Sequence, residues 1–282
     1  MKLVSYAAGG KHSYGVAVDG GVVDLSSRIG AKYPDLKALI AGNGFAEAAK
    51  AVAGQKPDHS LDAIAFDPVI PNPEKIICVG LNYKAHREET GRAPTDNPAL
   101  FIRFTDTQTG HNQPIVLPKN SHMLDYEGEL AVIIGKGGRD VAAKDALSII
   151  AGYSIYNDGS IRDFQNHTPQ WAPGKNFPKT GGFGPWMVTA DELGDPTQLT
   201  LETRLNGNTM QKTTTDLMLF DIPTTIEYIT KFTELRPGDV ISTGTPGGVG
   251  FKRNPQVFMK AGDTCEIEIS KIGTLVNRIV AE

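Results

Sequence analysis

Apolar positions along this chain come in short runs closed by Gly, Pro, Asn or Asp, and few recur at helical spacing. Runs at 75–80, 98–104, 114–117, 128–135, 151–157, 186–189, 199–205, 239–243, 264–270 and 273–280 predict strands. The run at 199–205 meets another at 209–214 across Asn206-Gly-Asn, a hairpin signal, and the last two strands turn at Lys271-Ile-Gly. Helical patterns are shorter, at 83–90, 143–149, 159–166 and 222–232. The last opens with Asp221 as N-cap and Pro223 close behind. Many strands with few long helices predict an α+β, β-rich fold, a barrel or sandwich rather than a doubly wound sheet.

The first 72 residues read differently. Ser13-Tyr-Gly-Val-Ala-Val, Asp19-Gly-Gly and Val22-Val-Asp-Leu form a hairpin signal, and two helix-forming stretches follow, broken by Gly42-Asn-Gly44. Asp67-Pro-Val-Ile-Pro-Asn-Pro-Glu74 then reads as an extended linker. The expected division is a small N-terminal α/β domain, residues 1–72, and a larger domain, residues 73–282. So short a piece buries only a modest core and is expected to lean on its neighbour.

Composition narrows the function classes. The 282 residues are 40% hydrophobic and 21% charged, as in an ordinary globular protein. A formal net charge of −4 provides no global field for nucleic acid or an anionic membrane, and no basic stripe interleaves with aromatics. No run of 18 apolar residues and no signal-peptide pattern occurs. A cytoplasmic protein is therefore expected, with Cys78 and Cys265 as buried free thiols.

Candidate chemistry concentrates on three carboxylates. Glu127 and Glu129, in Asp125-Tyr-Glu-Gly-Glu-Leu, open the apolar run Leu130-Ala-Val-Ile-Ile-Gly. Two residues apart on a strand, they share a face about 6.5 Å apart. Asp158 ends a second apolar run, from Ile149 to Tyr156. Carboxylates at the ends of buried strands repel one another and lose hydration unless a cation joins them. Oxygen-only ligands suit a hard ion, Mg²⁺ or Mn²⁺. A structural Ca²⁺ site in a non-catalytic small-acid binding protein is a rival, but such sites draw their ligands from one loop.

Four further segments carry polar groups. His86 and Glu89 lie three apart on a short helix, where Glu can fix the imidazole tautomer and free its other nitrogen as a base. The same spacing also suits a solvated charge pair. Arg162 and Gln165 follow Asp158 and can hold carboxylates or a carbonyl, although Asp158 could equally be a plain N-cap there. Lys175 lies in a loop and can neutralise an anion. The run Ser242-Thr-Gly244-Thr245-Pro-Gly-Gly lacks the Gly-Lys-Ser end of a phosphate loop; its backbone N–H groups and the Thr245 hydroxyl can bind a carboxylate.

Six motifs in order over residues 75–280 resemble the fumarylacetoacetate hydrolase family: Val79-Gly-Leu-Asn-Tyr83 with His86 and Glu89, the Glu127/Glu129 strand, Asn157-Asp-Gly-Ser-Ile-Arg-Asp-Phe-Gln165, Gly174-Lys-Asn-Phe, Gly184-Pro-Trp and the Arg236–Gly250 segment. The resemblance implies a mixed β-sandwich roll, a homodimer, and an acylpyruvate hydrolase-like activity with Mg²⁺ or Mn²⁺. It makes Glu127, Glu129 and Asp158 the metal ligands, His86 and Glu89 the water-activating pair on a lid helix, and Lys175 the lysine beside the substrate. Arg162, Gln165, Thr245, Gly244, Tyr83 and Arg103 are expected to bind the substrate. Arg103 replaces a lysine common in the family, which bears on distal substrate contacts.

The implied reaction is attack of activated water on a 1,3-diketo acid, with the C–C bond breaking through a metal-stabilised pyruvate enolate. The 2-oxo acid end of the substrate is the group the metal would chelate. Decarboxylation of an oxaloacetate-type substrate, or isomerisation of a 2-hydroxydienoate, uses the same enolate without an attacking water.

Overall fold

The computed structural model describes residues 1–282. Two sheets face each other across one core. The larger has eleven strands: nine run from Gly21–Asp24 through Lys11–Val18, Lys2–Ala8, Gly181–Thr189, Ile150–Asp158, Gly128–Ile134, Val240–Ser242 and Ile76–Gly80 to Ala99–Arg103, and two short ones, Ala65–Phe66 and Gln108–Thr109, pair with Lys2–Ala8 and Gly181–Thr189. The smaller has five, ordered Asn208–Thr214, Thr200–Leu205, Thr264–Ile269, Gly273–Ala281 and Ile115–Leu117. Most neighbours are antiparallel, but Val240–Ser242 pairs parallel to Ile76–Gly80 and Gly273–Ala281 parallel to Ile115–Leu117. The sheet arrangement is therefore mixed, as the strand pattern and the resemblance lead one to expect.

The unbroken apolar run after Glu129 has a simple cause. Leu130, Val132 and Ile134 point into the core shared with Leu201, Ile267 and Leu275 of the smaller sheet. Ala131 and Ile133 point the other way, into a second core with Leu36, Leu39, Ile40 and Met187. A strand buried on both faces shows no alternation. At Asn206-Gly207 both residues have positive φ, 51° and 78°, which is the two-residue turn that matches strand twist. Asp221 caps Ile222–Phe232 by accepting the Thr224 N–H at 2.8 Å.

Two local expectations need correction. The helix expected over 159–166 is only the single turn Arg162–Gln165, because Ser160 and Ile161 first pair with Asp125 and Leu124. The helical pattern at 143–149 adopts the tighter 3₁₀ form.

The N-terminal segment does not keep its own sheet. Lys2–Ala8 is hydrogen-bonded to Gly181–Thr189 in the middle of the larger sheet, with Leu3 opposite Met187. The helices Leu36–Ala41 and Phe45–Val52 cover the outer face. The proline-rich stretch near residue 72 is thus a crossing between two parts of one continuous hydrogen-bonded layer.

Candidate metal centre and active site

Antiparallel pairing of Gly128–Ile134 with Ile150–Asp158 brings the three carboxylates together. Gly128 lies opposite Asn157, and the Asp158 N–H donates to the Glu127 carbonyl at 2.9 Å. One oxygen from each of Glu127, Glu129 and Asp158 lies within 4.8 Å of the others, and all three residues are buried. These donors are hard oxygens with no sulfur or imidazole among them, and they fit Mg²⁺ or Mn²⁺. Glu127, Glu129 and Asp158 would hold the ion.

Each of the three carboxylates is held from behind. Glu129 accepts from the Ser242 hydroxyl at 2.5 Å and the Gly244 N–H at 2.8 Å. Asp158 accepts from Arg103 at 2.7 Å and from Lys175 at 2.6 Å. Lys175 also donates to Glu127 at 2.6 Å, and Arg162 contacts the other Glu127 oxygen at 2.6 Å. Arg162 in turn pairs with Asp125, fully buried, which accepts the Gly250 and Phe251 N–H groups. Four buried carboxylates thus face three buried cations, one positive charge short. A dication makes the cluster net positive by one, a charge suited to receiving an anion.

The titration of the cluster reflects this deficit. Burial, then the charges of Asp158 and Glu127, pushes the Glu129 carboxyl well above the usual glutamate range. Burial acts the same way on Glu127, but the Arg162 and Lys175 charges outweigh it and hold that carboxyl well below its usual range. Lys175 keeps its proton more tightly than usual: burial works against the charge, and Asp158 and Glu127 more than compensate. Burial above all pushes the Cys78 thiol up, so this neighbour of the site is an inert packing group.

His86 and Glu89 lie on the helix Lys84–Thr90, which Gly91 ends in the left-handed conformation at φ 67°. Nδ1 of His86 lies 2.7 Å from Glu89 Oε1, and the other Glu89 oxygen accepts the Gly248 N–H at 2.9 Å. A Nδ1–H donated to Glu89 leaves Nε2 with a free lone pair. His86 borders the same cavity as the carboxylate trio, together with Arg162, Gln165, Lys175 and Thr245. The apolar part of the wall is formed by Val79, Leu81, Phe101, Trp171, Val249 and Phe251.

Three expected substrate contacts lie elsewhere. Arg103 does not reach the cavity; its side chain is fully buried beneath Asp158, bonded also to the Gly159 carbonyl and Thr180. The Arg there holds Asp158 in place rather than lining the cavity. Gly244 spends its N–H on Glu129, and its φ of +102° with Asn82 and Val79 packed close leaves no room for a side chain. Tyr83 is buried at the start of the helix Lys84–Thr90 and does not border the cavity.

Other residues belong to the site although the motifs that contain them assigned them no role. Asp125 ties the Gly-rich turn to Arg162, and Ser242 fixes Glu129. Asn82, fully buried, donates to the Thr243 carbonyl at 2.7 Å and so ties the chain leading into the helix Lys84–Thr90 to the strand end behind Glu129. A polar residue next to an apolar strand was the only available signal, and it is a common one.

The family model described as "Fumarylacetoacetate (FAA) hydrolase C-terminal" matches residues 75–280. Rat (Rattus norvegicus) oxaloacetate tautomerase Fahd2a, mitochondrial, is 36% identical over 267 residues, covering 93% of this chain and 85% of that protein. The crystal structure of maleylpyruvate hydrolase from Sphingobium sp. SYK-6, in complex with manganese(II) and pyruvate, superposes with a TM-score of 0.84 at 29% identity, over 100% of this chain and 99% of the other. The 2-hydroxyhepta-2,4-diene-1,7-dioate isomerase structure from Mycobacterium marinum superposes with a TM-score of 0.75 at 31% identity, over 100% and 99% of the two chains. The strand order, the carboxylate trio and these matches agree, and the chain belongs to the fumarylacetoacetate hydrolase family of enzymes.

Proposed function

We propose that this chain is a divalent-metal-dependent enzyme that interconverts the keto and enol forms of a small 2-oxo acid. The reading rests on one observation above all: a buried, oxygen-only carboxylate trio and His86, with Glu89 behind it, meet at a single cavity. A bound Mg²⁺ or Mn²⁺ would act as a Lewis acid on the 2-oxo group and stabilise negative charge on its oxygen.

The chain's own residues supply the rest. His86 Nε2 takes the proton from the carbon next to the carbonyl, and the C–H electron pair becomes the C=C bond. The carbonyl oxygen gains a proton, so the net change is one proton moved from carbon to oxygen. Glu89 keeps the imidazole in the tautomer that accepts at Nε2 and steadies its charge once protonated. Lys175 and Arg162 hold Glu127 and Asp158 in place and offset the negative charge of the bound acid. Thr245 and Gln165, at the cavity wall, offer hydrogen bonds to its oxygens.

The name of the rat relative, an oxaloacetate tautomerase, favours proton exchange as the first reading. Hydrolytic C–C cleavage of an acylpyruvate is the second reading, favoured by the resemblance of the His86–Glu89 pair to a water-activating dyad and by the maleylpyruvate hydrolase structure.

The deciding experiment follows ultraviolet absorbance of enolised 2-oxo acids and release of pyruvate from acylpyruvates in parallel, with EDTA and then with Mg²⁺ or Mn²⁺ restored. Metal-dependent enol loss without pyruvate release supports tautomerisation. Activity unchanged by EDTA excludes both readings.

We also propose a homodimer. Pro98, Leu100, Ile102, Tyr228 and Phe232 line an open apolar groove beside the outermost strand of the larger sheet, with Ile102 and Phe232 53% and 58% exposed. A second copy seated on that face would remove it from water.

A further inference from the structure

The turn after Thr245 meets the helix Lys84–Thr90 at two glycines. A Cβ at Gly247 would lie 3.1 Å from the Ala85 Cβ and 3.5 Å from the His86 backbone nitrogen, so the helix rests directly on that backbone. Gly248 has a φ of +103°, and a Cβ there would meet the Met210 carbonyl oxygen at 2.3 Å. The Gly248 N–H donates to one Glu89 oxygen at 2.9 Å, while the other lies 2.7 Å from His86 Nδ1. Where that N–H points therefore bears on the placement and tautomer of the imidazole.

One side chain fixes Gly248 from the far side. Arg253 Nε lies 3.1 Å from the Tyr126 hydroxyl and 3.2 Å from the Gly248 carbonyl, and Nη2 donates to the Met210 carbonyl at 2.6 Å. The Tyr126 hydroxyl in turn donates to the Gly248 carbonyl at 3.2 Å. All three acceptors of Arg253 are uncharged oxygens, and they belong to three separate segments: the strand Asn208–Thr214, the chain just before Glu127, and the turn itself. A planar fork can bridge such points where a lysine ammonium cannot. Gly248 is thus gripped at its carbonyl and packed against Met210, which leaves its N–H directed at Glu89.

We infer that Arg253 is a positioning residue for the proposed base: by clamping Gly248 it aims that N–H at Glu89 and so holds His86 at the cavity, although Arg253 itself does not border the cavity. The role of His86 as base rests on the proposed function; the clamp on the helix does not. A seven-residue helix has few hydrogen bonds of its own, so loss of an outside tether shows there first. An Arg253 that only braced the strand Asn208–Thr214 would leave the helix untouched.

The test is hydrogen–deuterium exchange on the metal-free full chain, followed by mass spectrometry over residues 84–90. Arg253→Met keeps the stem and removes the donors. It is expected to speed exchange over 84–90 on the order of tenfold, the scale of one charge-assisted hydrogen bond, and to leave Ile150–Asp158 unchanged. Glu89→Ala is expected to speed the same segment, and the double variant to add little to Glu89→Ala alone, because the clamp acts through that carboxylate. Unchanged exchange over 84–90 in Arg253→Met overturns the inference. So do effects that multiply in the double variant, or faster exchange across Ile150–Asp158, which would make Arg253 a general support of the fold. With Mg²⁺ restored, Arg253→Met is expected to lower kcat for enolisation about tenfold at unchanged KM; a raised KM at unchanged kcat overturns a role through the base. The exchange arm needs neither metal nor substrate, so a wild-type protein without enolisation activity sinks the proposed function while the clamp is judged by exchange.

Discussion

The side chains that would touch a metal or substrate here are held by others that touch neither. Arg103 shows the energetics. It is fully buried and donates to Asp158, Gly159 and Thr180, so its replacement strands a carboxylate beneath the site. Arg103→Met is expected to cost about 3–5 kcal/mol, the range for leaving one partner of a buried pair uncompensated. Chemical denaturation measures it; a loss below about 1 kcal/mol would show that Lys175 alone suffices for Asp158. Glu129 makes a prediction about pH. Its carboxyl is pushed up by burial and its carboxylate neighbours, so the folded, metal-free protein keeps a proton that the unfolded chain has lost just above the ordinary glutamate range. In that window the folded state binds more protons, and metal-free stability falls as pH rises. Metal binding expels the proton, so affinity for Mg²⁺ is expected to rise with pH across the same window and then level off. Titration calorimetry in buffers of different ionisation enthalpy counts the released proton; no release near the lower end of the window contradicts the assignment.

Elements matter here for what they carry to a common point. The helix Lys84–Thr90 is only seven residues long, too short to persist alone. It is tied down by the Glu89 contact with Gly248 and ended by Gly91. Glu89→Ala removes both the tether and the partner of His86. It is expected to lower kcat for enolisation by roughly 10²-fold, the scale of one general acid–base contribution, with little change in metal affinity. Loss of metal binding in this variant would mean that the helix supports the trio as well. The turn at 250–252 behaves alike from the other side, since Asp125 secures it and Arg162 together. Sequence pattern located nearly every strand of the larger part, because runs of apolar residues closed by turn residues report strand existence well. It did not locate Lys2–Ala8, where Ser5 and Tyr6 interrupt the apolar run; both are buried, Ser5 donating to the Val69 carbonyl and Tyr6 to Asp24. Polar residues satisfied by distant partners look like surface residues along the chain.

At the scale of the whole molecule, the N-terminal part and the remainder share one sheet and one core. Leu3, Leu36, Leu39 and Ile40 pack with Ala131, Ile133, Met187 and Val240. A chain beginning at residue 73 would expose that face and free an edge of Gly181–Thr189. It is expected to be insoluble or partly unfolded, as judged by recovery and circular dichroism. A soluble, cooperatively folding fragment would show that the boundary separates independent units. The apolar groove beside Ala99–Arg103 bears on assembly. Ile102→Glu places a charge in it and is expected to convert a dimer to a monomer in light scattering with little change in melting temperature; a wild-type monomer would refute the dimer outright.

Much about this protein could be read along the chain: the strand-rich class, the family, and the three carboxylates that the fold brings together. Those properties depend on local spacing, since alternation, turn residues and motif order survive in one dimension. The roles of Arg103, Gly244 and Asp125 could not be read there. A basic residue can hold a ligand or a substrate, and only the direction of its side chain relative to strands far away in sequence distinguishes them.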